Sequence, residues 1–162
     1  RDKLVTGVQT CALPILFKSQ LAAGSRLPEK GTVLITVKDS DKPRAVTVAR
    51  MLHDLGYPIV ATRGTASAIE AAGIPVRVVN KVKDGRPHIV DMIKNGELAL
   101  VFTTVDETRT AIADSRSIRI AALAARVPYY TTIAGANAAV EGLKHMQSLE
   151  VYDLQGLHKQ LA

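Results

Sequence analysis

The stretch Ile59-Val60-Ala61-Thr62-Arg63-Gly64-Thr65-Ala66 decides how the rest of the chain is read. An apolar, β-branched run ends in a Thr-x-Gly-Thr turn, and a helix-forming segment, Ala66 to Ala72, follows at once. That is the pattern of a strand feeding a helix through a tight loop. Gly64 allows a backbone angle that a side chain would obstruct, and lets the main chain come close to a ligand. Thr62 and Thr65 put hydroxyls beside backbone amides at a helix N-terminus, where the dipole is positive and amides lack partners. Such a place suits a phosphate. The plainer alternative is a turn glycine with Thr65 capping the helix.

Outward from this stretch, strands and helices alternate. On the N-terminal side lie a strand, Thr32 to Val37, and a helix, Arg44 to Leu55, stopped by Gly56. On the C-terminal side a third strand, Val76 to Val79, leads through a basic loop to Pro87 at the first turn of a helix over His88 to Lys94. A fourth strand, Leu98 to Phe102, precedes a long helix over Thr108 to Arg126, with an interruption expected near Asp114-Ser115. Pro128 to Thr132 reads as a fifth strand and Gly135 to Met146 as a helix, with a strand-like stub and short helix over Leu149 to Ala162. The alternation predicts an α/β fold: a mainly parallel five-stranded sheet with helices on both faces, three layers, joined by right-handed crossovers.

The 162 residues are 47% hydrophobic and only 4% aromatic, a mix that suits buried parallel strands and argues against disorder. No apolar run approaches the ~20 residues of a membrane span, so no membrane partner is expected. Cys11 is the single cysteine, which excludes an internal disulfide and points to a reducing, cytoplasmic setting. The formal charge is +6, but the basic residues are scattered and no aromatic-rich strand offers bases a stacking surface. A phosphorylated small molecule fits that scatter better than nucleic acid. Residues 1–15 lack an initiating Met and a clean periodicity and resemble a translated adapter; they are expected to be a non-native leader outside the fold.

In parallel α/β sheets ligands bind beyond the carboxyl ends of the strands. Those ends carry Asp39, Asp41 and Lys42; then Thr62, Arg63, Gly64 and Thr65; then Asn80, Lys81, Lys83 and Arg86; then Thr103, Thr104 and Asp106. Lys42 and Lys81 would neutralise a phosphate dianion while the Thr-x-Gly-Thr turn orients it. Each member has an ordinary alternative: solvated lysines, and Asp39 or Asp41 capping a helix. His53 and His88 lack companions at metal-ligand spacing, so no metal site is expected. Ser40 and Ser115 lack a His/Asp set for nucleophilic catalysis.

Asp41-Lys42, Thr62-x-Gly64-Thr65, Val79-Asn80-Lys81-Val82, Gly85-Arg86-Pro87-His88-Ile89, Ile93-Lys94-Asn95-Gly96 and Asp114-Ser115-Arg116-x-Ile118-Arg119 together carry a resemblance. From residue 16 onward the chain resembles the C-terminal part of carbamoyl-phosphate synthase large subunits. Residues 16–30 look like the tail of the preceding ATP-grasp half and a linker, and 31–162 like the regulatory domain of methylglyoxal synthase-like fold. The resemblance implies a non-catalytic domain that binds a nucleotide monophosphate effector, of uridylate or inosinate type, and tunes distant ATP-grasp sites that use ATP and Mg. It implies, as partners, the rest of the large subunit, the glutaminase small subunit and homo-oligomer contacts, and a place in pyrimidine and arginine biosynthesis. By matching positions, Lys42, Thr62, Gly64, Thr65 and Lys81 would hold the effector phosphate, and Thr36, Arg63, Thr103 and Asp114 would lie near ribose or base. The chain departs from the enterobacterial-type pattern at Arg63, where that pattern has histidine, and at Thr103 and Val105, where it has Asn-x-Thr. The loop from Asp106 to Ala113 is also one residue longer.

Two other functions compete with this regulatory one. A stand-alone lyase like methylglyoxal synthase shares the fold but needs a carboxylate base, and its position falls on Arg86, which cannot take a proton near neutral pH. An assembly domain with a decayed pocket is the other.

Overall fold

The computed structural model describes residues 27–106 and 108–144. The expected leader over 1–15, the short helix expected over 16–26 and the closing segment after residue 148 lie outside the described residues. Five strands, β1 (Thr32–Thr36), β2 (Ile59–Thr62), β3 (Arg77–Val79), β4 (Leu98–Thr103) and β5 (Tyr129–Tyr130), alternate with five α-helices. These are α1 (Lys42–Asp54), α2 (Arg63–Glu70), α3 (Ile89–Lys94), α4 (Arg109–Ala124) and α5 (Ile133–Lys144), and two short 3₁₀ turns cover Asp39–Asp41 and Val82–Asp84. The strands form one sheet in the order β3-β2-β1-β4-β5, and every neighbouring pair is parallel. The expected five-stranded α/β architecture is the one observed.

The strand sequences explain the two layers. Alternate side chains of a strand face opposite sides of a sheet. In β1, Val33 and Ile35 join the core formed with Ala45, Val48 and Leu52 of α1, Ile69 of α2 and Val140 of α5. Leu34 faces the second core, formed with Ile89 and Ile93 of α3 and Ile118 and Ala122 of α4. α1, α2 and α5 therefore cover one face, α3 and α4 the other. The chain runs outward from β1 to β3 under the first face, then back and outward to β5 under the second, which keeps one crossover hand throughout.

Three expectations need correction. α2 begins at Arg63, so the Thr-x-Gly-Thr turn is itself the first turn of the helix and not a loop before it. α4 runs unbroken through Asp114 and Ser115, because both polar residues sit on or beside its inward face and do not compete for the backbone. Pro87 precedes α3 by two residues, and His88 holds the N-cap position. A further feature had no counterpart in the sequence reading: the β1–β4 register shifts at Thr32/Val33, where Thr32 pairs with Leu98 and Val33 with Leu100. Ala99 is thus an extra residue, a bulge that lets Leu98 face the α3–α4 core while Leu100 faces the other.

Candidate functional site

The strand order reverses direction between β1 and β4, and crevices in open α/β sheets form at such a switch beyond the carboxyl ends. A cavity of about 80 Å³ lies there, lined by Thr36 and Lys38 after β1, Thr103 to Asp106 after β4, Lys81 and Val82 after β3, Ile89 of α3, and Ala111, Asp114, Ser115 and Ile118 of α4. At ~30 Å³ per water, its volume equals two or three waters, so any larger occupant must extend out through the mouth.

Hydroxyls stitch the strand ends together behind this cavity. Thr36 Oγ1 and Thr62 Oγ1 are 3.2 Å apart across β1 and β2. The Val37 N–H donates to Thr65 Oγ1 at 3.3 Å, and that hydroxyl lies 3.5 Å from the Val37 carbonyl. The Lys38 N–H donates to Thr104 Oγ1 at 3.1 Å, and the Thr104 N–H donates to the Thr36 carbonyl at 3.0 Å. Thr65 is therefore no helix cap; it is buried and fastens α2 to the end of β1. Thr62 stands at the N-cap position but makes no capping bond, since its hydroxyl is turned to Thr36. The first-turn amides of α2 thus get no help from the residue that would ordinarily satisfy one of them.

Lys42, the first residue of α1, reaches back to that helix start. A Cβ placed on Gly64 would stand 3.3 Å from Lys42 Nζ. Gly64 is helical, with a φ outside the left-handed region, so no unusual backbone angle calls for the glycine, and a Cβ there would crowd the Lys42 ammonium by a few tenths of an ångström. Lys42 Nζ also pairs with Asp39 Oδ1 at 2.8 Å. The hydrogen bond and charge of Lys42 hold the Asp39 carboxyl below its ordinary value, and the charge of Lys81 adds to the effect. The charges of both lysines are thus felt at Asp39.

The predicted residues fall into three groups. Thr36, Lys81, Thr103 and Asp114 share the cavity wall. Thr62 and Thr65 adjoin it through their bonds to Thr36 and Val37, while Gly64 and Lys42 meet each other outside its wall. Arg63 stands apart: it is exposed at the start of α2 and does not line the cavity. Sequence reasoning missed Asp39 as a partner of Lys42, Thr104 as a strand fastener, and the wall made by Ile89, Ser115 and Ile118. The wall had a signal, since Ala111, Ser115 and Ile118 recur at the helical spacing of one face. Arg86, at the position of the lyase base, is exposed, lies 3.8 Å from Asp91 and is absent from the lining. Among the described residues no His, Cys, Asp and Glu group could hold a metal ion, and no helix is long and apolar enough to cross a membrane.

Known proteins resemble this chain in sequence and in fold. The chain is 85% identical over 157 residues to the carbamoyl phosphate synthase large chain of Ralstonia nicotianae, covering 97% of this chain and 14% of that protein. It is 50% identical over 154 residues to the corresponding large chain of Pseudomonas aeruginosa, covering 95% of this chain and again 14% of that protein. The chain therefore spans about one seventh of the length of the curated relatives it matches. Among solved structures, methylglyoxal synthase from Elizabethkingia anophelis superposes with a TM-score of 0.59 at 22% identity, covering 82% of this chain and 93% of the other. That likeness speaks for the fold. The family model described as the MGS-like domain matches residues 44–131, from the first turn of α1 to the end of β5, and the chain belongs to that family.

Proposed function

We propose that this chain is the regulatory domain of a carbamoyl phosphate synthase large chain, and that it binds a nucleoside monophosphate through its phosphate. The parent would be a glutamine-dependent ligase of the cytoplasm, serving pyrimidine and arginine biosynthesis, with ATP and Mg used in its ATP-grasp halves. Its partners would be the rest of the large chain, the glutaminase small subunit and further copies of itself. The observation that carries the effector reading is Lys81 on the wall of the cavity at the switch between β1 and β4, next to the strand ends that fasten the start of α2, which Lys42 approaches. A helix N-terminus and two ammonium groups form a site for a dianion. Arg63, exposed and off the cavity wall, is proposed to act only on parts of the effector that reach beyond the mouth. The lyase reading fails on Arg86, whose guanidinium cannot serve as the base.

Calorimetric titration of the chain with uridylate, inosinate and inorganic phosphate tests the proposal. A charge-assisted contact to phosphate contributes about 1.5–3 kcal/mol, so Lys81→Ala is expected to weaken all three by roughly ten- to a hundredfold. Val105→Thr, which restores a hydroxyl on the cavity wall, is expected to change the preference between the two nucleotides and leave inorganic phosphate unaffected. Equal binding by Lys81→Ala and the parent would end the phosphate-anchor reading. A parent chain that binds none of them would favour the assembly-only domain.

A further inference from the structure

α4 carries two apolar stripes, on opposite sides. Inward, Ile118, Ala121 and Ala122 join the core with α3, and Ser115 is buried beside them with a hydroxyl that has no partner among the described residues. Outward, Ile112, Arg116, Ile120 and Leu123 follow at intervals of four, four and three, which sets them in one row along the helix. Ile112 is 48% exposed, Ile120 59% and Leu123 70%, and only three other large hydrophobic side chains among the described residues reach even 36%. One of those three, Tyr129, belongs to β5, the strand into which α4 leads. A single exposed aliphatic group calls for no explanation, but a row of them does. A helix at the surface of a globular protein needs one apolar stripe; a helix with two belongs between two neighbours.

The charges along the row restrict the second neighbour. Arg116 stands within it and Arg119 at its border, both exposed. Arg119 Nε donates to the Ser115 carbonyl at 3.4 Å, and Arg116 makes no hydrogen bond or ion pair among the described residues. The one carboxylate of α4, Asp114, lies on the cavity wall. The outward side thus joins aliphatic groups to guanidinium groups and carries neither lysine nor glutamate, the composition of a protein interface. A second copy fits it badly: a twofold contact along the row sets the arginines of both copies against one another and supplies no carboxylate. The relatives offer another neighbour. This chain matches only 14% of the Ralstonia nicotianae large chain, so in such a protein most of the polypeptide beside it is not its own. We infer that the outward row of α4 is the surface by which this domain seats on the rest of its large chain, against an apolar strip edged with carboxylates that face Arg116 and Arg119. This rests on the reading of the chain as part of a large chain and adds to it the face and the chemistry of the contact. α4 then has the cavity on one side, at Ala111, Asp114 and Ser115, and the rest of the large chain on the other, so ligand and contact bear on one rigid element.

The test places residues 16–162 in the Ralstonia nicotianae large chain, in place of the matching segment, and compares that joined protein with the isolated 162-residue chain. Two variants are made in each: Ile120→Gln together with Leu123→Gln, and Arg116→Glu. Glutamine and glutamate both suit a helix, so in the isolated chain neither variant is expected to change the unfolding temperature or the state of association. In the joined protein both are expected to speed tryptic cleavage between residues 16 and 30, by roughly ten- to a hundredfold for the double variant. A domain that leaves its seat more often exposes the chain that leads into it. Unchanged cleavage overturns the inference. An isolated chain that is dimeric and becomes monomeric in the double variant overturns it too, by showing a second copy on the row. So does a lowered unfolding temperature of the isolated double variant, which shows the row covered by this chain's own residues. If the unsubstituted joined protein forms carbamoyl phosphate as the unaltered Ralstonia nicotianae chain does, the wider reading holds, and unaffected variants remove only the role of α4. If it forms none, that reading and this inference fall together.

Discussion

A methyl group on Gly31 would sit 2.6 Å from the Cβ of Ala99, on a backbone whose φ is +125°. Both obstacles act at once: the dihedral is one that side chains rarely adopt, and the bulge residue of β4 leaves no room. Gly31→Ala is therefore expected to cost about 2–5 kcal/mol, the sum of backbone strain and overpacking. The shift of the urea midpoint at constant slope measures it. Gly64 is the instructive contrast. It stood out in the sequence, yet its backbone is ordinary helix, and what lies beside it is the ammonium of Lys42, a tertiary contact that no local pattern announces. The same holds for the threonines. Thr36, Thr62 and Thr65 were legible as hydroxyls at strand ends, but their bonds to one another and to Val37 depend on which strands are neighbours. Ser115 was set aside for want of a His/Asp set, because a missing partner can be seen only after folding.

Among the elements, α3 depends most on its cap, being six residues long. His88 Nδ1 accepts from the Asp91 N–H at 3.3 Å, and Asp91 Oδ2 accepts from the His88 N–H at 3.2 Å, so each residue satisfies an otherwise free amide of the other. His88→Ala is expected to lower stability by about 1 kcal/mol, and His88→Asn to recover most of it, since asparagine caps well; denaturant unfolding of the pair checks this. Strand and helix identities were legible among the described residues because short continuous apolar runs alternate with segments of 3.6-residue apolar spacing. The ends were less so. The break expected in α4 arose from reading Asp114 and Ser115 as helix breakers, whereas they belong to the wall of the cavity. Polar residues on an inward face are where local rules yield to a site. β5 is only two residues long, since its ladder with β4 pairs Tyr129 and Tyr130, with the Pro128 carbonyl accepting from the Val101 N–H just before it.

At the scale of the whole molecule, the segment leading into β1 is tied down by Tyr57, whose buried ring presents its hydroxyl to the Pro28 carbonyl at 2.7 Å. Burial raises the Tyr57 pKa above its ordinary value of 10.0, and the charge of Glu29 adds to the effect. The folded state thus holds the phenolic proton more tightly than the unfolded chain does. The resulting stability is complete below pH 10 and is lost as the pH rises through the folded value. Thermal unfolding between about pH 8 and 11 should show the parent losing stability faster than Tyr57→Phe, which itself is expected to be about 1 kcal/mol less stable at neutral pH. The layered α/β plan was legible because buried parallel strands announce themselves by apolar composition. The strand order, which decides that the ends of β1 and β4 meet, is a fact of the assembled molecule. That order also sets a sequence of events in time. β1, β2 and β3 can pair as soon as the first half of the chain exists, whereas β1 must wait for β4, whose Thr103 pairs with Thr36 across a long loop of intervening chain. Closing such a loop is slow compared with forming helices. The cavity has walls from both halves, so it cannot form before β4 and α4 have joined the sheet, and a chain that ends at β3 has neither Lys81 nor a place to put a ligand.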